Sequence, residues 1–174
     1  MQGSMKLFSV KGIDVKVHFT FTLILIWAAY RWGVQLNEGL TGALFGVVIT
    51  LLLFVCVTLH ELAHSLIATR YGVKVKEISL LPIGGVAQME EMPAKPAQEL
   101  NIALAGPLTN IVIAILLILI SLPLNIRSTM GIEELNNVLG TVSWRGLVAY
   151  LVTSNLTLGF FNLFPAYPMD GGQV

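Results

Sequence analysis

Charge is what this sequence has least of. Only 11% of its 174 residues are Asp, Glu, Lys or Arg, and 55% are hydrophobic. A soluble domain of this size carries about 25% charged residues, so an ordinary soluble fold is excluded. Ten basic and ten acidic residues cancel, which leaves no excess of positive charge for nucleic acid. Cysteine is almost absent. Cys56 stands alone, so no intrachain disulfide can form. There is no internal repeat and no low-complexity tract. A cleavable signal peptide is also not expected, because the basic stretch before the first apolar run is long and no small-residue cleavage site follows it. The leading MQGS before Met5 reads as a cloning scar (residues 1–4), with a membrane-embedded core over 5–174.

What is present is a set of runs without any acidic or basic side chain: 17–30, 39–59, 100–124 and 146–169. All but the first reach the roughly 20 residues needed to cross a bilayer. The first can extend through Arg31 to Val34, with its ends in the interface. The sequence thus predicts an all-α polytopic membrane protein with a bundle of about four transmembrane helices, near 17–34, 41–69, 100–124 and 146–169. Lysine and arginine are unequally shared between the two sides. Seven (Lys6, Lys11, Lys16, Arg70, Lys74, Lys76, Lys95) lie on the side of the N-terminus, and three (Arg31, Arg127, Arg145) on the other. The positive-inside rule then puts the N-terminus in the cytoplasm. Trp27, Tyr30, Trp32 and Trp144 fit an aromatic belt at the opposite interface.

Residues 73–92, VKVKEISLLPIGGVAQMEEM, depart from this pattern. Val73, Lys74, Val75 and Lys76 alternate with period two, and Pro82 and Gly84-Gly85 mark a turn. A small β-hairpin that dips into the membrane is expected between the second and third helices. Such a backbone is tolerated at that depth only where it is paired, buried in protein or lining a wet cavity.

The chemistry sits at His60-Glu61-Leu62-Ala63-His64, inside the second apolar run. Positions i and i+4 share one helix face, so His60 and His64 can ligate one zinc ion with Glu61 beside it. A metal held by two neutral imidazoles lowers the pKa of a bound water from 15.7 to about 7, and a carboxylate can take its proton. The bland alternative is a polar contact between bundle helices. Two histidines and a glutamate would be a costly adhesive in hydrocarbon, and the metal reading is preferred. A catalytic zinc needs a third protein ligand. The candidates are Asp170, His18 and Cys56. Asp170 is favoured because the second and fourth spans run in the same direction, which puts both sites near the cytoplasmic end. His18 reads as an interfacial histidine at a helix start, and Cys56 as a small buried apolar group. The Gly106-Pro107 break in the third span allows close helix approach, and Asn110 and Asn155 read as intramembrane amides supporting the site.

Three blocks carry a resemblance: HELAH at 60–64, ALAGPLTN at 103–110 and FNLFPAYPMDGG at 161–172. With LLPIGG at 80–85, they make the chain similar to the site-2 protease family of intramembrane zinc metalloproteases. Its archaeal and bacterial branch, often carrying C-terminal CBS domains, looks closest. The resemblance implies one zinc ion per chain, held by His60, His64 and Asp170, with Glu61 as the catalytic glutamate. It implies Asn162 as a substrate or oxyanion contact, and Pro165 and Gly171 as parts of the last motif. Met169 stands where leucine is commoner. Six helices are expected in the full core, so the chain reads as a catalytic core truncated at its C-terminus. The implied activity is hydrolysis of peptide bonds within or near transmembrane segments of membrane-protein substrates, with the active site toward the cytoplasm. Gly84, Gly85 and Val86 would receive the substrate by strand addition. Lipid and a transmembrane substrate are the expected partners, nucleic acid is not, and a homo-oligomer is left open. Two other readings compete: an intramembrane zinc transporter and a catalytically silent membrane scaffold. A transporter would need ligands toward both faces, and a silent scaffold would have no use for Glu61.

Overall fold

The structure, a computed structural model, describes residues 3–90, 95–121 and 141–163. It opens with two strands, β1 (Ser4–Val10) and β2 (Ile13–His18), followed by helix α1 (Phe21–Tyr30). A π-helical turn at Arg31–Gln35 links α1 to the long helix α2 (Gly39–Arg70). Strands β3 (Val75–Leu81) and β4 (Gly84–Met89) come next, then helices α3 (Pro96–Ser121) and α4 (Trp144–Asn162). The fold is mostly helical with one small sheet.

The hairpin expected between the second and third helices is present, with Pro82 and Ile83 between its strands. The sheet is twice that size. Its order is β1-β2-β3-β4, with β1 antiparallel to β2, β2 parallel to β3, and β3 antiparallel to β4. The all-helical expectation for the N-terminal segment is therefore corrected: residues 17 and 18, placed at the start of the first span, lie in β2. The sequence did carry the signal. Ile13, Val15 and Val17 alternate with Asp14, Lys16 and His18, and Lys11-Gly12 turns the chain with both φ angles positive (50° and 86°), as a two-residue hairpin turn requires. Read as cations flanking a span, Lys6, Lys11 and Lys16 concealed the period.

Burial explains why this hairpin joins the sheet. Ile13, Val15, Ile78 and Leu80 form one core with Phe21 of α1 and with Phe54 and Leu62 of α2. Phe21 and Phe54 meet edge to face at 4.6 Å, a geometry favoured by their ring quadrupoles. Across the two central strands, Lys16 of β2 pairs with Glu77 of β3. That hydrogen bond holds the Glu77 carboxyl below its usual range and the Lys16 ammonium above its own.

Two helices are long and apolar enough to cross a membrane, α2 and α3, with hydropathies of 2.7 and 2.5 over their best windows. Only 28% and 33% of those windows are buried. Leu44, Val48, Val55, Ile115, Leu116, Leu119 and Ile120 therefore face outward, which is how a lipid-exposed helix is built and not how a soluble core helix is. The predicted count of four spans is not reproduced among the described residues. Helix α1 has only 10 residues before its π turn, and α4, at 19 residues, is lightened by Thr153, Ser154, Asn155 and Thr157.

Helix contacts are set by small residues. Gly42 and Gly46 of α2 lie against Trp32, where a β-carbon on Gly46 would come within 2.6 Å of the indole and of the Ala28 carbonyl. Gly159 of α4 lies against the Pro107 carbonyl of α3, 3.2 Å from where its β-carbon would be. Close backbone approach of this kind replaces the hydrophobic drive that is missing between helices in lipid.

Candidate metal centre

Successive residues of one α2 turn face three different neighbours. Leu62 enters the core under the sheet. Glu61 turns toward β4, and His60 and His64 turn toward α3. Both imidazoles are buried, at 5% exposure each. Their rings stand at 77° with centroids 4.7 Å apart, and the two Nε2 atoms are 3.1 Å from each other. The His64 Nδ1–H donates to the backbone carbonyl of Ile102 on α3 at 2.6 Å. A carbonyl only accepts, so a neutral His64 must carry its proton on Nδ1 and present a bare Nε2. This is the partner that usually fixes a ligating histidine.

Gly106 closes the space on the α3 side. A β-carbon there would fall 2.1 Å from His64 Nε2 and 2.6 Å from His60 Nε2. No other residue type leaves room for the two nitrogens. Gly85 does the same for the carboxylate arm, since a β-carbon would lie 2.5 Å from Glu61 Cγ. Strand β4 thus passes directly over Glu61. Among the described residues it is the last strand of the sheet, and no described strand pairs with its other edge. Gly84 there has φ 138°, which favours glycine, and Val86 is 41% exposed.

These features fit a zinc site. Two zinc-bound nitrogens at the usual 2.0–2.1 Å in a tetrahedron are about 3.3 Å apart, close to the observed 3.1 Å. Among the described residues no third His, Cys, Asp or Glu joins the pair. His18 is engaged elsewhere. Its Nδ1 lies 2.7 Å from the Thr20 hydroxyl, at the junction of β2 and α1. Cys56 is buried one turn before His60 and takes no part. Asp170 and Gly171, like Pro165 and Met169, lie outside the described residues.

The supporting residues are placed as follows. Asn110 and Asn155 are both fully buried. Asn110 sits one turn beyond Gly106, with its Cβ 3.6 Å from where a Gly159 β-carbon would lie, at the contact of α3 with α4. Asn155 donates to the Leu151 carbonyl of its own helix. Asn162 is the half-buried last residue of α4. The Ile102 carbonyl could not have been found from sequence, because any residue offers the same backbone group.

Two buried imidazoles with facing Nε2 atoms, a carboxylate on the same helical turn, and outward-apolar helices around them fit a class of membrane-associated metalloproteins. Comparison with known proteins makes the class specific. The model of peptidase family M50 matches residues 48–174, and the chain belongs to that family. It is 40% identical over 174 residues to the zinc metalloprotease MJ0392 of Methanocaldococcus jannaschii, covering 100% of this chain and 45% of that protein. A zinc metalloprotease candidate of Synechocystis sp., sll0528, is 31% identical over 179 residues, with 100% and 44% covered. Among solved structures, the site-2 protease from Methanocaldococcus jannaschii matches with a TM-score of 0.69 at 40% identity, over 98% of this chain and 68% of that one. The chain spans a little under half the length of the curated relatives it matches.

Proposed function

We propose that this chain is the catalytic core of an intramembrane zinc metalloendopeptidase, which hydrolyses peptide bonds within or near transmembrane segments of membrane-protein substrates. The observation that carries the reading is the pair of Nε2 atoms 3.1 Å apart against Gly106, with Glu61 held against Gly85 of β4. His60, His64 and Asp170 would hold one zinc ion per chain. Bound there, zinc supplies Lewis acidity that activates water near neutral pH and polarises a carbonyl.

The chain's own residues do the rest. The β4 edge at Gly84, Gly85 and Val86 takes the substrate as an added strand, freeing its carbonyls from the helical i→i−4 ladder. Glu61 accepts the proton of the attacking water and returns it to the leaving amine. The Asn162 side-chain N–H donates to the developing oxyanion. The Ile102 carbonyl holds the His64 ring in register. Gly106, Asn110, Asn155 and Gly171 support this arrangement. The protein would be a multi-pass membrane protein with its N-terminus and site toward the cytoplasm, since seven of ten cationic side chains lie on that side. The sheet packs beneath the C-terminal half of α2, where water need only enter a short cavity.

The test compares wild type with Glu61→Gln on a panel of single-span substrates, with zinc counted by elemental analysis. Expected are zinc-dependent cleavage by wild type, a loss of about 10²–10⁴-fold in Glu61→Gln, and unchanged zinc in both. Zinc bound at full occupancy without cleavage of any substrate would reject the protease and leave a transporter or scaffold.

A further inference from the structure

Helix α4 presents two unlike faces. The Asn155–Gly159 face is buried against α3. Another face, with Tyr150, Thr153, Ser154, Thr157 and Leu158, lines a groove of about 300 Å³ whose opposite wall is Leu53 of α2. One end of the groove is closed, where Leu147, Val148 and Leu151 pack with Phe45 and Leu53 and Tyr150 meets Trp32 at 6.4 Å.

Two observations make this groove more than a packing gap. The first concerns hydroxyls. Thr50, Thr58 and Thr109 each turn back to bond the carbonyl one turn before them, which is how a helix hides a hydroxyl in an apolar medium. Among the described residues, Thr153, Ser154 and Thr157 make no such bond. A hydroxyl left unpaired in hydrocarbon is costly, so these three await an acceptor. A lipid acyl chain offers none. A peptide backbone does.

The second is direction. Leu53 lies seven residues before His60 on α2, two turns earlier on the same stripe, about 10 Å away along the helix axis. Ser154, Leu158 and Asn162 follow each other at i, i+4 and i+8 on α4. Both walls of the groove therefore run toward the proposed site, one to the histidine pair and the other to Asn162. A helix lying in the groove would be led to the zinc site by its own length.

We propose that the groove between α2 and α4 seats the transmembrane helix of the substrate, with the hydroxyls of Thr153, Ser154 and Thr157 donating to its backbone carbonyls and steering it as it unwinds toward the metal. The partner is a single membrane helix whose backbone carbonyls reach the three hydroxyls of the α4 wall. This rests on the protease reading and adds a specificity surface to it.

The first experiment uses the full-length protein in detergent. It compares wild type, the isosteric Thr153→Val/Ser154→Ala/Thr157→Val variant and the groove-filling Ser154→Leu. The readout is the ratio of kcat/KM on a single-span substrate to that on a short peptide with the same scissile bond. The ratio should fall about tenfold, mainly through KM, one hydrogen-bonded contact being worth roughly that factor. An unchanged ratio, with both substrates falling together or neither falling, overturns the proposal. The second experiment is independent of catalysis. In a Cys56→Ala/Glu61→Gln background, a cysteine at Ser154 or Thr157 is oxidised with single-span substrates carrying one cysteine along the span. Crosslinks should form from these positions and not from Leu116 on the lipid face of α3. Equal crosslinking from Leu116, no crosslinking at all, or crosslinks only between copies of the chain overturns it. If wild type cleaves nothing while these crosslinks form, the protease reading fails and the groove stands.

Discussion

Helix α2 makes two glycine-dependent contacts, and they are used differently. Near its start, Gly46 makes room for the Trp32 indole, and Gly42 lies against the Trp32 backbone carbonyl. Near its end, α2 supplies the side chains and α3 supplies the glycine: Gly106 leaves space for two imidazole nitrogens that face each other at 3.1 Å. The first contact is complete as it stands, since apolar surfaces meet and gain dispersion energy. The second brings two imidazole nitrogens within hydrogen-bonding distance inside an apolar bundle, where burying polar rings carries a desolvation cost that apolar packing does not. Proximity alone is thus no guide to purpose. What the glycine makes room for is.

The largest effect expected from disturbing this contrast is at Gly106. Gly106→Ala puts a methyl 2.1 Å from His64 Nε2, and bound zinc should fall from about one per chain to near none, with cleavage lost. Elemental analysis of the purified variant checks this, and retained zinc would sink the assignment. Gly85→Ala comes next. Its methyl would meet Glu61 at 2.5 Å, so zinc should stay while kcat falls by about 10² or more as the carboxylate is displaced. At the structural contact the pattern should invert. Gly46→Ala overpacks Trp32 and should cost about 1–3 kcal/mol of stability, read as a lower unfolding temperature in detergent, with zinc binding intact in the folded fraction. Zinc loss there would show that the two ends of α2 are not separable.

The smallest effect concerns pH and the ion pair across the two central strands of the sheet. Glu77 is held below the usual carboxylate range by Lys16, so its contribution is complete above the ordinary carboxylate pKa and is lost as pH falls through the lowered value. Lys16 is held above the usual lysine range by Glu77. Its share is complete below the ordinary lysine pKa and is lost as pH rises through the raised one. The pair is near the surface and its effect should be modest. Glu77→Gln should flatten both limbs of the unfolding-temperature profile relative to wild type, and parallel profiles would reject the coupling.

The facing histidine pair was legible because helical spacing is local. His60 and His64 are one turn apart in any α-helix, and the apolar run around them already implied that the helix exists. The Gly106-Pro107 break was readable as a place of close approach, but not what would approach it. The N-terminal strands were missed because three lysines suited two patterns, and burial of Ile13 and Val15 beneath a parallel β3 depends on a partner some 60 residues away. The hydroxyl row of α4 was equally visible in the letters. Nothing local said that it would face a groove and not its own helix.

Composition, period and the two-histidine spacing were thus determined by sequence alone, since each rests on contacts within a few residues. Tertiary structure decided the rest. It aimed both imidazoles at one missing side chain on α3, fixed His64 with a carbonyl that any residue could have supplied, and laid β4 over Glu61. Those relations join segments far apart in the chain, and only the packing of the sheet and helices against one another brings them within reach.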